Sequence, residues 1–132
     1  MTLLSPLYEE LRKTGIGELG AWLERIELIT TPSGVVVKLR FWFINGDFVD
    51  AYAAQSGRFA FHFEGRSTGS GIYRHDNAPH GSVSTCPTYP RHCHSGADSN
   101  IVPSNLPDDL PAAFRAYCNL LLDFLRDTNT VS

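Results

Sequence analysis

The stretch Val35-Val36-Val37-Lys38-Leu39-Arg40-Phe41-Trp42-Phe43-Ile44-Asn45-Gly46-Asp47-Phe48-Val49-Asp50-Ala51-Tyr52-Ala53-Ala54 decides the fold. Asn45-Gly46 is a strong hairpin signal, because both residue types tolerate positive φ. It separates two runs rich in β-branched and aromatic residues, so Val35 to Ile44 and Phe48 to Ala54 read as antiparallel strands. Val37, Leu39, Phe41 and Phe43 fall on one side of the first run, and Lys38, Arg40 and Trp42 on the other.

On either side of this hairpin, Thr31-Pro32-Ser33-Gly34 and Gln55-Ser56-Gly57 are further turns, bounding strands at Ile26 to Thr30 and Arg58 to Glu64. Ile72 to Asp76 reads as a fifth strand. Short connections between successive strands imply an antiparallel meander. Phe59, Phe61 and Phe63 share a side, so one sheet face is a phenylalanine-rich core layer, opposite a half-polar face carrying Lys38, Arg40, His62 and Glu64. The glycine-rich segment from Gly65 to Gly71 opens no helix and reads as a flexible hairpin loop, not a phosphate cradle.

Ser5-Pro6 looks like a cap and first helical residue, with Glu9 and Glu10 placed early. Gly15 is expected to end that helix, and a second helical piece is expected from Glu18 to Glu24. Near the other end, Leu110, Phe114, Tyr117, Cys118, Leu121 and Leu125 follow the helical period. A helix from Asp109 to Asp127 is therefore expected to cover the apolar sheet face, with Cys118 in the core and Thr128 to Ser132 as a frayed tail. The expected architecture is α+β: an antiparallel meander sheet of about five strands with an N-terminal helix and a C-terminal helix packed on one face. The 132 residues are enough for one domain with a real core, so residues 1–132 are read as a single domain.

The chain is 42% hydrophobic and carries a net charge of −3, a globular composition that disfavours sequence-blind nucleic-acid binding. Residues 32–100, however, hold six Lys and Arg against five Asp and Glu, so the acidity lies toward the ends and an anionic substrate fits the middle. Three cysteines at irregular spacing argue for reduced thiols. With no apolar run of membrane-spanning length and no secretory start, a cytoplasmic location is expected.

Four of the five histidines lie between His75 and His94, with Arg74, Asp76 and Arg91 among them. This density of titratable groups points to a site. Metal-free cleavage of RNA needs a base for the 2′-hydroxyl, an acid for the leaving oxygen and cations for the phosphate. His80, His92 and His94 are the expected proton carriers, with Asp76 orienting a histidine or holding Arg74. Lys38, Arg40, His62, Tyr73 and Arg91 are the expected substrate contacts. No cofactor is required, although a metal through His80, His92 and His94, completed by Asp76, Cys86 or Cys93, is a second reading. Cys93, flanked by two histidines, would turn away from them in an extended segment, which weakens a cysteine nucleophile. A third reading makes the same residues a non-catalytic binding loop.

The run Tyr73-Arg74-His75-Asp76-Asn77-Ala78-Pro79-His80, with Pro90-Arg91-His92-Cys93-His94 beyond it, resembles the signature of the TumE-like toxins of prokaryotic toxin–antitoxin pairs. That family tends to show an aromatic residue where His75 stands, a second histidine where Gly81 stands, and a Pro-His-His-Lys-His-like run where Cys93 interrupts this one. The resemblance spans roughly residues 24–96. It implies a small α+β toxin partnered by a DNA-binding antitoxin, and the arrangement is similar to that of small ribonuclease toxins.

Overall fold

The structure, a computed structural model, describes residues 4–130. Its sheet has seven antiparallel strands in sequence order: β1 (Leu23–Thr30), β2 (Val36–Phe43), β3 (Phe48–Ala53), β4 (Phe59–Gly65), β5 (Gly71–Asp76), β6 (His92–Gly96) and β7 (Ile101–Val102). The helices are α1 (Pro6–Leu19) and α2 (Leu110–Thr130). The α+β meander is as expected, with two strands more. The end of the histidine-rich segment, His92–Gly96, forms β6, because Arg74, His75 and Asp76 pair with His94, Cys93 and His92 across a long connection.

Alternation builds the core. Leu39, Phe41, Val49, Ala51, Phe61 and Phe63 are fully buried on one sheet face, beneath Leu11 and Leu19 of α1 and Phe114, Tyr117, Cys118 and Leu121 of α2. Phe61 sits against Phe114 and Tyr117 with ring centroids 5.0 and 5.6 Å apart. The Tyr117 hydroxyl donates to the Tyr73 carbonyl at 2.8 Å, fastening α2 to β5.

Several local expectations are corrected. The hairpin turns over Ile44, Asn45 and Gly46, closed by Phe43 N–H donating to the Asp47 carbonyl, and only Gly46 takes positive φ, at 94°. Val37 is exposed and not on the core side, because Ile29 pairs with Lys38 while Thr30 pairs with Val36; this bulge throws Val37 out and turns Val36 inward. Helix α1 does not stop at Gly15: it runs on to Leu19, and Gly15 is buried where the Phe41 ring lies in the place a side chain would begin. Ser5 caps it as expected, its hydroxyl accepting from Tyr8 N–H at 3.2 Å. The Gly65–Gly71 segment is an ordered 3-10 turn, with the Thr68 hydroxyl donating to Asp47 at 2.9 Å. Of the expected tail, Thr128 continues α2, its hydroxyl donating to the Phe124 carbonyl at 2.8 Å; residues 131 and 132 lie outside the described residues.

Candidate functional site

Helices cover one face of the sheet, and the other carries the polar alternates. Register places Glu27, Arg40, Asp50, His62, Arg74 and His94 as successive cross-strand partners from β1 to β6. Beside this row run Tyr52, Ala60, Asp76 and His92. The two rows border a cleft of about 550 Å³ lined by Lys38, Asp50, Tyr52, Arg58, His62, Arg74 and Asp76.

Two of the expected phosphate contacts are already engaged. Asp50 accepts from Lys38 Nζ at 2.9 Å and from Arg40 Nε and Nη2 at 2.8 and 2.9 Å. Burial pushes the Asp50 carboxyl up, but the hydrogen bonds from Arg40 and Lys38 outweigh it and hold the group below its ordinary range. Arg40 also lies 4.1 Å over the Phe48 ring. Arg58, exposed at the cleft, makes no ion pair among the described residues and is its least committed cation.

Asp76 is the hub of the adjacent cluster. Its Oδ2 accepts from Arg74 Nε at 2.7 Å and its Oδ1 from Ala78 N–H at 2.9 Å. His92 Nε2 lies 3.2 Å from the same Oδ1, yet the approach misses hydrogen-bond geometry, so this fully buried nitrogen has no partner. The opposite nitrogens of both nearby imidazoles are spoken for. His92 Nδ1 lies 2.8 Å from the Pro90 carbonyl and His94 Nδ1 2.8 Å from the Asp98 carbonyl. A carbonyl only accepts, so both Nδ1 atoms carry protons and both Nε2 atoms are left to act. The two rings meet edge-on with centroids 4.9 Å apart.

His62 is the histidine of the cleft wall. Its Nε2 lies 3.2 Å from Glu64 Oε1, which fixes the proton there, while Nδ1 is buried and unpartnered. Burial lowers its pKa, more than the Glu64 hydrogen bond raises it, so the neutral form prevails near pH 7.

Of the residues expected at the site, Arg74, Asp76, His92 and His94 come together, and Lys38, Arg40 and His62 share their face. Three do not. Tyr73 faces the core, its ring stacked on Phe124 at 4.8 Å, because odd-numbered positions of β5 turn toward α2. Arg91 is spent on the loop before α2, donating to the Leu106 carbonyl at 2.8 Å and pairing with Asp108. His80 is exposed on the β5–β6 connection and lines no part of the cleft. His75, standing where the family shows an aromatic, behaves as one: it is buried between the Ser104 hydroxyl at 2.7 Å and the Tyr73 hydroxyl at 3.1 Å. Asp50, Tyr52 and Arg58 were not foreseen. The hairpin centred on Asn45 already pairs Arg40 with Asp50, so a lone acid in an apolar strand was a readable signal.

Chemically, the face offers a half-buried cation held by a carboxylate, a neutral imidazole and two further imidazole nitrogens, grouped beside a cleft. No helix among the described residues is long and apolar enough to cross a membrane. No curated protein and no solved structure matches the chain. The family model described as Toxin TumE matches residues 20–131, which takes in every strand and the whole of α2. The chain belongs to the TumE toxin family.

Proposed function

We propose that this toxin acts on RNA and that the cleft is a ribonuclease site. The observation that carries the reading is the succession His62, Arg74, His94 on three neighbouring strands, a guanidinium with an imidazole on either side. Cleavage by the 2′-hydroxyl asks for that arrangement: a cation at the phosphate and proton carriers on both flanks. Arg74 and Arg58 bind the phosphate, and Tyr52, 37% exposed, offers a ring on which a base can stack. Lys38 and Arg40, neutralised by Asp50, shape the cleft more than they charge it.

In the metal-free form expected from the sequence, His62 and His94 exchange protons with substrate. His62 acts through Nδ1, which the wall covers, so substrate entry has to turn the ring. His92 serves as a positioning residue against Asp76. A second form, in which an ion occupies the Asp76 cluster, is favoured by the partnerless His92 Nε2. Membership of a toxin family implies an antitoxin partner, and we propose a DNA-binding one.

The test is incubation of purified protein with total RNA beside Arg74→Ala and His62→Ala. The parent should cleave, and each variant should lose about 10²-fold or more in rate. RNA bound but not cleaved would make the cleft a binding site, and equal cleavage by the variants would move the chemistry elsewhere.

A further inference from the structure

We infer that Asp76, His92 and His94 bind a divalent first-row transition metal ion. One donor atom from each of these side chains lies within 4.8 Å of the other two. Two imidazole nitrogens and one carboxylate oxygen suit ions of borderline softness such as zinc, and not magnesium or calcium, which prefer oxygen-only sets.

Three observations converge. First, His92 Nε2 is buried and without a hydrogen-bond partner, and faces Asp76 Oδ1 at 3.2 Å, while the opposite nitrogen, Nδ1, serves the Pro90 carbonyl. A buried polar atom without a partner costs free energy, and an ion held between it and the Asp76 carboxylate recovers that cost. That separation is close to the ~3.4 Å edge between ligands of a tetrahedral ion with ~2.1 Å bonds. Second, both histidines donate Nδ1–H to backbone carbonyls, at 2.8 Å each, the outer hydrogen bond that sets the tautomer of metal-binding imidazoles. Third, Asp76 is itself oriented, with Oδ2 held by Arg74 and Oδ1, which also accepts from Ala78 N–H, facing His92. His94 is half-buried, so a modest χ rotation brings its nitrogen in from the wider separation.

Three protein ligands leave a tetrahedral ion an open position. Asp76 and Arg74 line the cleft, so that position opens toward the proposed phosphate site, where an ion would polarise a phosphoryl oxygen. This catalytic role rests on the ribonuclease reading, whereas the binding of the ion does not.

The experiment uses the full-length protein, stripped with chelator and titrated with Zn²⁺ by calorimetry, with elemental analysis after gel filtration. His94→Ala is the principal variant because His94 is the least buried ligand; circular dichroism verifies its fold, and Arg126→Ala, on the exposed side of α2, is the control. The expected result is one zinc per chain for parent and control, at least about tenfold weaker binding by His94→Ala, and a melting temperature raised by zinc only where His94 is present. Absence of stoichiometric zinc on folded parent, or equal affinity in His94→Ala, overturns the inference. RNA cleavage is scored separately on the same samples. Zinc bound without cleavage refutes the ribonuclease reading and leaves the metal site standing; cleavage by metal-free protein with no zinc uptake does the reverse.

Discussion

Replacing Gly15 by alanine should destabilise the protein although alanine is the better helix former, and replacing Gly17, two residues on, should do the opposite. A Cβ at Gly15 would lie 2.3 Å from Cε2 and 2.5 Å from Cζ of Phe41, whereas one at Gly17 meets nothing within 4 Å. Phe41 cannot step aside easily, being fully buried with its ring centroid 5.6 Å from that of Phe114. Overpacking of this kind costs about 1–3 kcal/mol, against a helix-propensity gain of about 1 kcal/mol. Gly15→Ala should therefore lose up to about 2 kcal/mol, while Gly17→Ala, with the propensity term alone near the helix end, gains about 0.5 kcal/mol. Urea unfolding followed by circular dichroism reads the difference, and Phe41→Leu should soften the Gly15→Ala penalty by giving the new methyl room. Equal effects of the two alanines, or a stabilised Gly15→Ala, would refute the docking of α1 on β2.

Two further outcomes follow from the core. Tyr117→Phe removes the donor to the buried Tyr73 carbonyl and should cost about 1–2 kcal/mol in chemical denaturation; a change of a few tenths would mean that α2 is not fastened there. His75 is held down to about 4 by burial, against 6.5 for a free imidazole, so the unfolded chain takes up a proton that the native one refuses, and stability falls as pH drops from about 7 toward 4. At pH 5 this amounts to about 2 kcal/mol, and His75→Gln should flatten the decline by that amount in urea midpoints taken between pH 7.5 and 5. Parallel pH profiles for parent and variant would show that His75 is not enclosed beneath α2.

The meander was readable because its determinants are local. Asn45-Gly46 and Gln55-Ser56-Gly57 place the turns, and strict alternation in Phe59, Phe61 and Phe63 assigns the core face whatever lies above it. The Arg74–Asp76 pair was readable for the same reason, since both lie on one face of a single strand. Helix α1 was misjudged at Gly15 because propensity penalises glycine in a helix, and only the neighbouring Phe41 ring explains why nothing larger stands there.

Sequence alone thus determined the α+β class, the strand spacing up to β5, and the region in which histidines and arginines concentrate. Tertiary structure decided which of them meet. The β5–β6 connection is long, so no turn rule sets its register, and a shift of one residue would have exchanged the two faces, burying His94 and turning Cys93 outward. The pairing of β5 with β4 sends Tyr73 and His75 to the core, and pairing Asp76 with His92 across the connection then buries Cys93 and assembles Asp76, His92 and His94 beside the cleft.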